Sequence, residues 1–307
     1  MNNLQLSIVI PVYNGALTIM DLALKINSEL SSKNITYELI LVNDNSIDES
    51  WDKILEIMKL FPDKITGIDL SQNCGQHNAI ICGFHYCKYD VIITMDDDLQ
   101  HPPEEIDKLL NEYMSNGADV VYGIPIVKQQ TKTKMFASFL TKLIEKRKIH
   151  NSYSSFRLIK KPIVTALINH PYHFNSLFID VVIGWHTNFI KFVPVNHHKR
   201  EKGISNYSVF KLIKLYLDLL INYSAFPLKL ITYSGILISI ITFLIGIKFV
   251  YKKLSSNVPL GYTSIIVSIL FGTSIILLCL GIIGQYIYRM YHFQHNKPTY
   301  SIRKIIR

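Results

Sequence analysis

Between Tyr262 and Tyr288 the chain carries no Asp, Glu, Lys or Arg. A bilayer core is crossed by ~20 mostly apolar residues. A helix buried in a soluble protein rarely stays apolar on every face for so long. A second uncharged run, Leu230 to Ile247, follows Pro227. Two transmembrane helices are therefore expected, at 227–250 and 262–288, joined by a short periplasmic link at 251–261. Arg289, Lys297, Arg303, Lys304 and Arg307 come after the second run. The positive-inside bias makes 289–307 a basic cytoplasmic tail. Two spans form a hairpin, so the N-terminal part shares that side. Just before the first span, apolar residues recur at helical spacing from Tyr207 to Asn222, with Lys211 and Lys214 between them. This predicts an amphipathic interfacial helix over 206–226.

The formal charge of +9 is read in this light. Basic residues gather beside the apolar runs, which points to anionic lipid surfaces or phosphate ligands. A nucleic-acid binder would show a basic stripe or a recognisable motif, and neither is present, so nucleic acid is excluded as a partner. The four cysteines, Cys74, Cys82, Cys87 and Cys279, have no CxxC spacing and read as reduced thiols. Leu6 to Val12 begins a strand so early that no cleaved leader is expected.

Residues 1–205 read as one cytoplasmic domain. Short β-rich runs at Leu6–Val12, Tyr37–Val42, Ile65–Leu70, Val91–Met95 and Asp119–Tyr122 alternate with helical patterns, which implies βαβ units and a mainly parallel sheet. Ser46 and Glu49 have capping-box spacing for the second helix. Lys128 to Lys148 is basic and helical in pattern. Ser154 to Leu158 and Phe189 to Val195 read as further extended elements. Polar residues recur where strands end: Tyr13 and Asn14, Asp44, Asn73, then Asp96 and Asp98. In a parallel sheet those ends share one edge, where ligands bind. The fourth strand runs into three consecutive carboxylates, Asp96, Asp97 and Asp98, ahead of Pro102 and Pro103. Like charges this close need a cation, and a hard divalent ion with oxygen ligands is the simplest one. The adjacent His197 and His198 have no further ligands at zinc spacing.

Four segments carry a family resemblance. Pro11-Val-Tyr-Asn14, Asp44 at a strand end, Ser71-Gln-Asn-Cys-Gly-Gln-His-Asn-Ala79 and Met95-Asp-Asp-Asp-Leu-Gln-His-Pro-Pro-Glu104 together resemble the inverting nucleotide-sugar glycosyltransferases of family 2, with the GT-A (Rossmann-like) fold. Ser155-Phe-Arg-Leu158, Arg200-Glu-Lys-Gly-Ile-Ser-Asn-Tyr207 and the two apolar runs make the chain similar to the polyprenyl-phosphate branch, which includes dolichol-phosphate mannose synthase and undecaprenyl-phosphate sugar transferases. Gly75-Gln-His-Asn-Ala79 resembles the formamido-arabinose members.

The resemblance implies a nucleotide-sugar donor, a UDP-sugar first and a GDP-sugar second, and a polyprenyl phosphate acceptor at the bacterial inner membrane. It implies Mg²⁺ or Mn²⁺ held by Asp96, Asp98 and Gln100, with Asp96, Asp98 and Arg200 as the catalytic set. Pro11, Tyr13, Asn14, Asp44, Asn73, Gln76 and Asp97 would bind the nucleotide sugar, with Asp44 on the base. Ser155, Arg157, Arg200 and Lys202 would bind the lipid phosphate. A homo-oligomer, tetrameric in relatives, is also implied. The chain departs from the family at Gly15, where Glu is common, at Gln72 and Pro125, where Arg is common, and at Ser155, where several members have Asp. Two other readings remain at this point. One is a transferase that extends a lipid-linked glycan, with Asp180 as the base that a sugar hydroxyl needs. The other is a non-catalytic membrane scaffold.

Overall fold

The computed structural model describes residues 4–126, 154–169, 179–198 and 299–307, with isolated helical positions between 233 and 290. The chain divides into two compact units, one comprising 1–130, 150–204 and 296–307, the other 131–149 and 205–295.

The first unit is built on β1 (Gln5–Val12), buried from Leu6 onward. A strand covered on both faces reads as an unbroken apolar run rather than an alternation, and Leu6 to Val12 is such a run. β1 pairs in parallel with β2 (Thr36–Asn43) and with β4 (Val91–Thr94), and β2 pairs in parallel with β3 (Ile65–Leu70). The helices α1 (Ile19–Ser32), α2 (Ser50–Leu60) and α3 (Gln76–Phe84) supply the crossovers that parallel neighbours require. α1 turns Ile19, Leu22, Ala23, Ile26 and Leu30 to the core, a helical stripe read directly from its sequence.

Beyond β4 the sheet changes character. After α4 (Ile106–Asn116) come β5 (Val120–Pro125), β6 (Arg157–Lys160), α5 (Lys161–Ile168), α6 (Ile179–His186) and β7 (Ile190–Val195). β6 is antiparallel to both β4 and β5, while β5 is parallel to β7. With a last strand, β8 (Ile302–Ile306), the strand order is β7-β5-β6-β4-β1-β2-β3-β8. The sheet is thus mixed, with four parallel and three antiparallel pairings among the described strands. Two of the three involve β6: reversed, it sets Arg157 opposite Thr94, so its N-terminal end meets the C-terminal end of β4.

The last strand, β8 (Ile302–Ile306), pairs antiparallel with β3 at the sheet edge. Part of the expected basic tail is therefore a strand of the first unit.

In the second unit the described positions are helical, and Tyr233, Leu237, Ile265, Ile269, Ile276, Leu280, Ile283 and Ile287 are exposed apolar side chains. Among the described residues no helix is long and apolar enough to cross a membrane. The interfacial helix at 206–226, the link at 251–261, most of both spans and the basic segment at 128–148 lie outside the described residues.

Candidate active site

Three loops meet at the C-terminal ends of β1, β2 and β3. Asn14, with φ of 55°, is in the left-handed region that asparagine tolerates. Its amide donates to Ser46 Oγ at 3.0 Å, and its side-chain oxygen accepts from the Ile47 amide at 3.1 Å. The expected capping box at Ser46 and Glu49 does not form. α2 begins at Ser50, whose amide donates to Asp48 Oδ1 at 3.1 Å, and Ser46 serves Asn14 instead. Gly15 donates to Ser50 Oγ at 2.9 Å, which ties the β1 loop to the start of α2.

Asp44 is buried at 2% exposure. Its two oxygens accept the amides of Cys74 at 2.7 Å and Gly75 at 2.9 Å. Gly75 has φ of 86°, a conformation that glycine reaches without steric cost. Asn73 Nδ2 donates to the Asp44 carbonyl at 3.2 Å. Asp44 thus organises the 71–75 loop, and its remaining lone pairs are what a base could use. Pro11 lies buried in β1, and the ring of Tyr13 is half exposed at the rim.

The acidic turn adjoins these loops. Gln76 Nε2 and Ser155 Oγ each donate to Asp96, both at 2.5 Å. Asp98 Oδ1 accepts the Gln100 amide at 3.1 Å, and Gln100 Nε2 donates to the His198 carbonyl at 3.4 Å. Asp97 turns the other way and accepts the Tyr13 amide at 3.2 Å. Burial pushes the Asp97 carboxyl up to about 7; Tyr13 opposes this, and Asp96 and Asp98 reinforce it. Among the described residues no three His, Cys, Asp or Glu side chains form an ion-holding group. The donor set still fits Mg²⁺ or Mn²⁺, because such ions take one or two carboxylates and fill other positions with water and substrate phosphate oxygens.

Asp97 also explains the departure at Gly15. A Cβ on Gly15 would lie 2.2 Å from Asp97 Oδ2. Any larger residue at 15 would make the Asp97 carboxylate shift. At Ser155 the hydroxyl donates to Asp96, where an aspartate would add another negative charge.

Arg157 is 1% exposed and ion-paired with Asp180. Its Nε and Nη2 have no hydrogen-bond partner among the described residues. Asp180 also accepts from Tyr122 Oη at 2.9 Å. The Asp180 carboxylate is thus already engaged by a guanidinium and a phenol within the fold. Arg200 and Lys202 lie outside the described residues. Sequence reasoning missed Ser46, Asp48 and Ser50, whose roles depend on loop contacts, and Arg303, which reaches this edge from β8.

Residues 7–175 match the family model "Glycosyl transferase family 2". The chain belongs to glycosyl transferase family 2. It is 30% identical, over 99% of its length and 94% of the relative, to the undecaprenyl-phosphate 4-deoxy-4-formamido-L-arabinose transferase of Klebsiella pneumoniae (strain 342). To the protein of the same name from Shewanella sediminis it is 32% identical, over 98% of the chain and 92% of the relative. Glucosyl-3-phosphoglycerate synthase from Mycobacterium tuberculosis, solved with Mn²⁺ and uridine-diphosphate-glucose, superposes with a TM-score of 0.51 at 12% identity, over 71% of this chain and 77% of that one. This family 2 member is a glycosyltransferase, and its first unit is the Rossmann-like GT-A α/β domain with a mixed sheet.

Proposed function

We propose that this glycosyltransferase moves one sugar, with inversion, from a nucleotide-sugar donor to undecaprenyl phosphate at the cytoplasmic face of the bacterial inner membrane. The observation that carries the proposal is the meeting of Asp44, Asp96, Asp98 and Ser155 at one sheet edge, in a chain that matches undecaprenyl-phosphate sugar transferases along nearly its whole length.

Asp44, Asn73, Tyr13, Asn14 and Pro11 receive the nucleotide, expected to be uridine-based, and Gln76 and Asp97 shape the floor between base and diphosphate. Asp96, Asp98 and Gln100 hold Mg²⁺ or Mn²⁺. The bound ion neutralises the charge that develops on the departing diphosphate. Gln76 and Ser155 orient Asp96 for that role. The acceptor oxygen of a phosphate monoester is largely ionised near neutral pH, because its second pKa is ~6, so no side chain has to remove a proton. Cations must bring it in. Arg157 supports this with two buried, unpartnered guanidinium nitrogens, and Arg200 and Lys202 in the basic turn would complete the clamp with Ser155. Arg can grip phosphate with two parallel hydrogen bonds.

Chain connectivity supports the two-span membrane arrangement. β7 and β8 belong to one sheet, so any membrane crossings between them would be even in number, as two spans are. The exposed apolar helical positions between Tyr233 and Ile287 fit lipid contact. The test is a screen of UDP- and GDP-sugars against undecaprenyl phosphate in membranes, with mass detection of lipid product. A lipid-linked sugar is expected from a uridine-based donor. Product that forms only on a preassembled lipid-linked glycan would overturn the proposal.

A further inference from the structure

β8 carries a bulge aimed at the donor side of the site. It pairs with β3 through Gly67↔Ile306, Ile68↔Ile305 and Asp69↔Lys304, then jumps to Leu70↔Ile302. Arg303 is the extra residue left between. A bulge breaks the alternation of side chains and re-aims the residue it contains. Here the guanidinium lies across the ends of β2 and β3. Nη1 donates to Asp69 Oδ2 at 3.1 Å, and Nη2 to Asn45 Oδ1 at 2.8 Å and to the Ser71 carbonyl at 3.2 Å. The other oxygen of Asp69 accepts from Asn43 Nδ2 at 2.7 Å.

These contacts surround Asp44. Asn43 and Asn45 are its neighbours in sequence, and Asn45 has φ of 53°. Ser71 opens the loop whose Cys74 and Gly75 amides clamp the Asp44 carboxylate. The Ser71 amide donates to the Ser301 carbonyl at 2.8 Å, which fixes the chain just before β8. Tyr300 packs edge-on against His85, and the Arg307 guanidinium sits over the Tyr86 ring, so the segment is also held at the end of α3.

We propose that Arg303 is a positioning residue for donor recognition: it holds both flanks of Asp44 and the 71–75 loop in the geometry that receives the nucleotide. Donor binding would then depend on a strand encoded after the membrane segment. The inference rests on the reading of Asp44 as the nucleotide contact. Only a forked guanidinium reaches three acceptors on two strand ends at once; an ammonium is a point charge. Arg303 is itself about half exposed, and the β8 ladder is made by backbone, so its replacement leaves the fold intact.

The test uses the full chain in detergent with Mn²⁺. Calorimetric titration of UDP, with GDP in parallel, is run on the native protein and on Arg303→Ala, Arg303→Lys and Asp69→Asn, beside thermal melts and donor and acceptor kinetics. Arg303→Ala should weaken UDP about tenfold or more, as expected for loss of hydrogen bonds to a charged group. Arg303→Lys should recover part of it. The donor KM should rise in step, while kcat and the acceptor KM stay within about twofold. UDP affinity unchanged in Arg303→Ala, with the native protein binding UDP, would overturn the inference alone. Equal melting losses for Ala and Lys, with kcat falling as much as affinity, would overturn it in favour of a purely structural role. A native protein that binds neither nucleotide would overturn the donor-site reading on which the inference stands.

Discussion

The two sides of the strand edge are built in opposite ways. On the donor side the polar side chains find partners within the fold: Asp44 takes two amides, Asn14 bridges to Ser46 and Ile47, and Asp69 is shared by Asn43 and Arg303. On the acceptor side, Arg157 is buried with Nε and Nη2 unpartnered, and both ring nitrogens of His101 are buried without partners among the described residues. A buried donor left unmade costs ~1–3 kcal/mol, and each such group calls for a physical reason. On the proposed reading the donor side is satisfied among the described residues, and the acceptor side keeps buried polar atoms that a bound phosphate would complete. Between the two stands the acidic turn, with Asp97 facing the donor loops and Asp96 tied to Ser155 on the other side.

The largest effect should come from the turn that serves both sides. Asp98→Ala is expected to lower turnover by at least about 10²–10³-fold, the scale for removing one group that stabilises transition-state charge, with the melting temperature little changed. EDTA should abolish activity, and added Mn²⁺ or Mg²⁺ should restore it. Full turnover in EDTA would remove the metal from the site. Next comes Arg200→Ala, which tests the acceptor side alone. Loss of a charge-assisted contact of ~1.5–3 kcal/mol corresponds to a roughly 10-to-150-fold loss. It should appear in the dependence on lipid phosphate, with UDP affinity nearly unchanged, and Arg200→Lys should recover part. A collapse of donor affinity instead would place Arg200 with the diphosphate and erase the contrast between the sides.

The donor half was the more legible in sequence, for a physical reason. Its strands are parallel, local in sequence and buried on both faces, so apolar runs ending in Asn14, Asp44 and Asp96 announce both the strands and their common edge. Three things were not legible. The reversal of β6 depends on pairing with β4 across more than sixty residues, and a short extended run does not state its direction. The β8 strand follows the apolar spans and consists of Ile302, Arg303, Lys304, Ile305 and Ile306, a composition that reads as a basic tail until β3 is found beside it. The burial of Arg157 against Asp180 joins residues whose separation carries no pattern. Ser46 with Glu49 had the spacing of a cap, but the Asn14 amide competes for the same hydroxyl.

Gly15 gives a smaller effect, on the donor side alone. A Cβ there would overlap Asp97 Oδ2 at 2.2 Å. Gly15→Ala should therefore displace Asp97 from the Tyr13 amide and cost about 1–3 kcal/mol, the range for overpacking. Donor affinity should fall by about tenfold at the lower part of that range. In the pair Gly15→Ala with Asp97→Gly the two losses should be less than additive, because the clash needs both side chains. If Gly15→Ala alone binds UDP normally, the donor loops are softer than their hydrogen bonds imply, and the contrast between the sides weakens.

The smallest effect concerns His101, on the acceptor side, and it separates a ligand-dependent deficit from a structural one. His101 is buried, stacks on Phe156 with centroids 5.1 Å apart, and meets His197 edge-on at 4.9 Å. Burial lowers its pKa from 6.5 to about 4, with His197 adding to the shift. The folded state then binds the proton less readily than the unfolded chain. Stability from neutral His101 is complete above about 6.5 and falls as pH drops from there through about 4. Replacing His101 by Phe keeps a ring against Phe156 and removes two unpartnered nitrogens, a change that can be neutral or stabilising. At pH 7.5 His101→Phe should stay within about 1 kcal/mol of the native protein. Between pH 6.5 and 4.5 its melting temperature should decline less steeply than the native one. Parallel melting curves across that range would mean that His101 finds a partner that keeps it protonatable, and that this part of the acceptor side is as fully satisfied as the donor side.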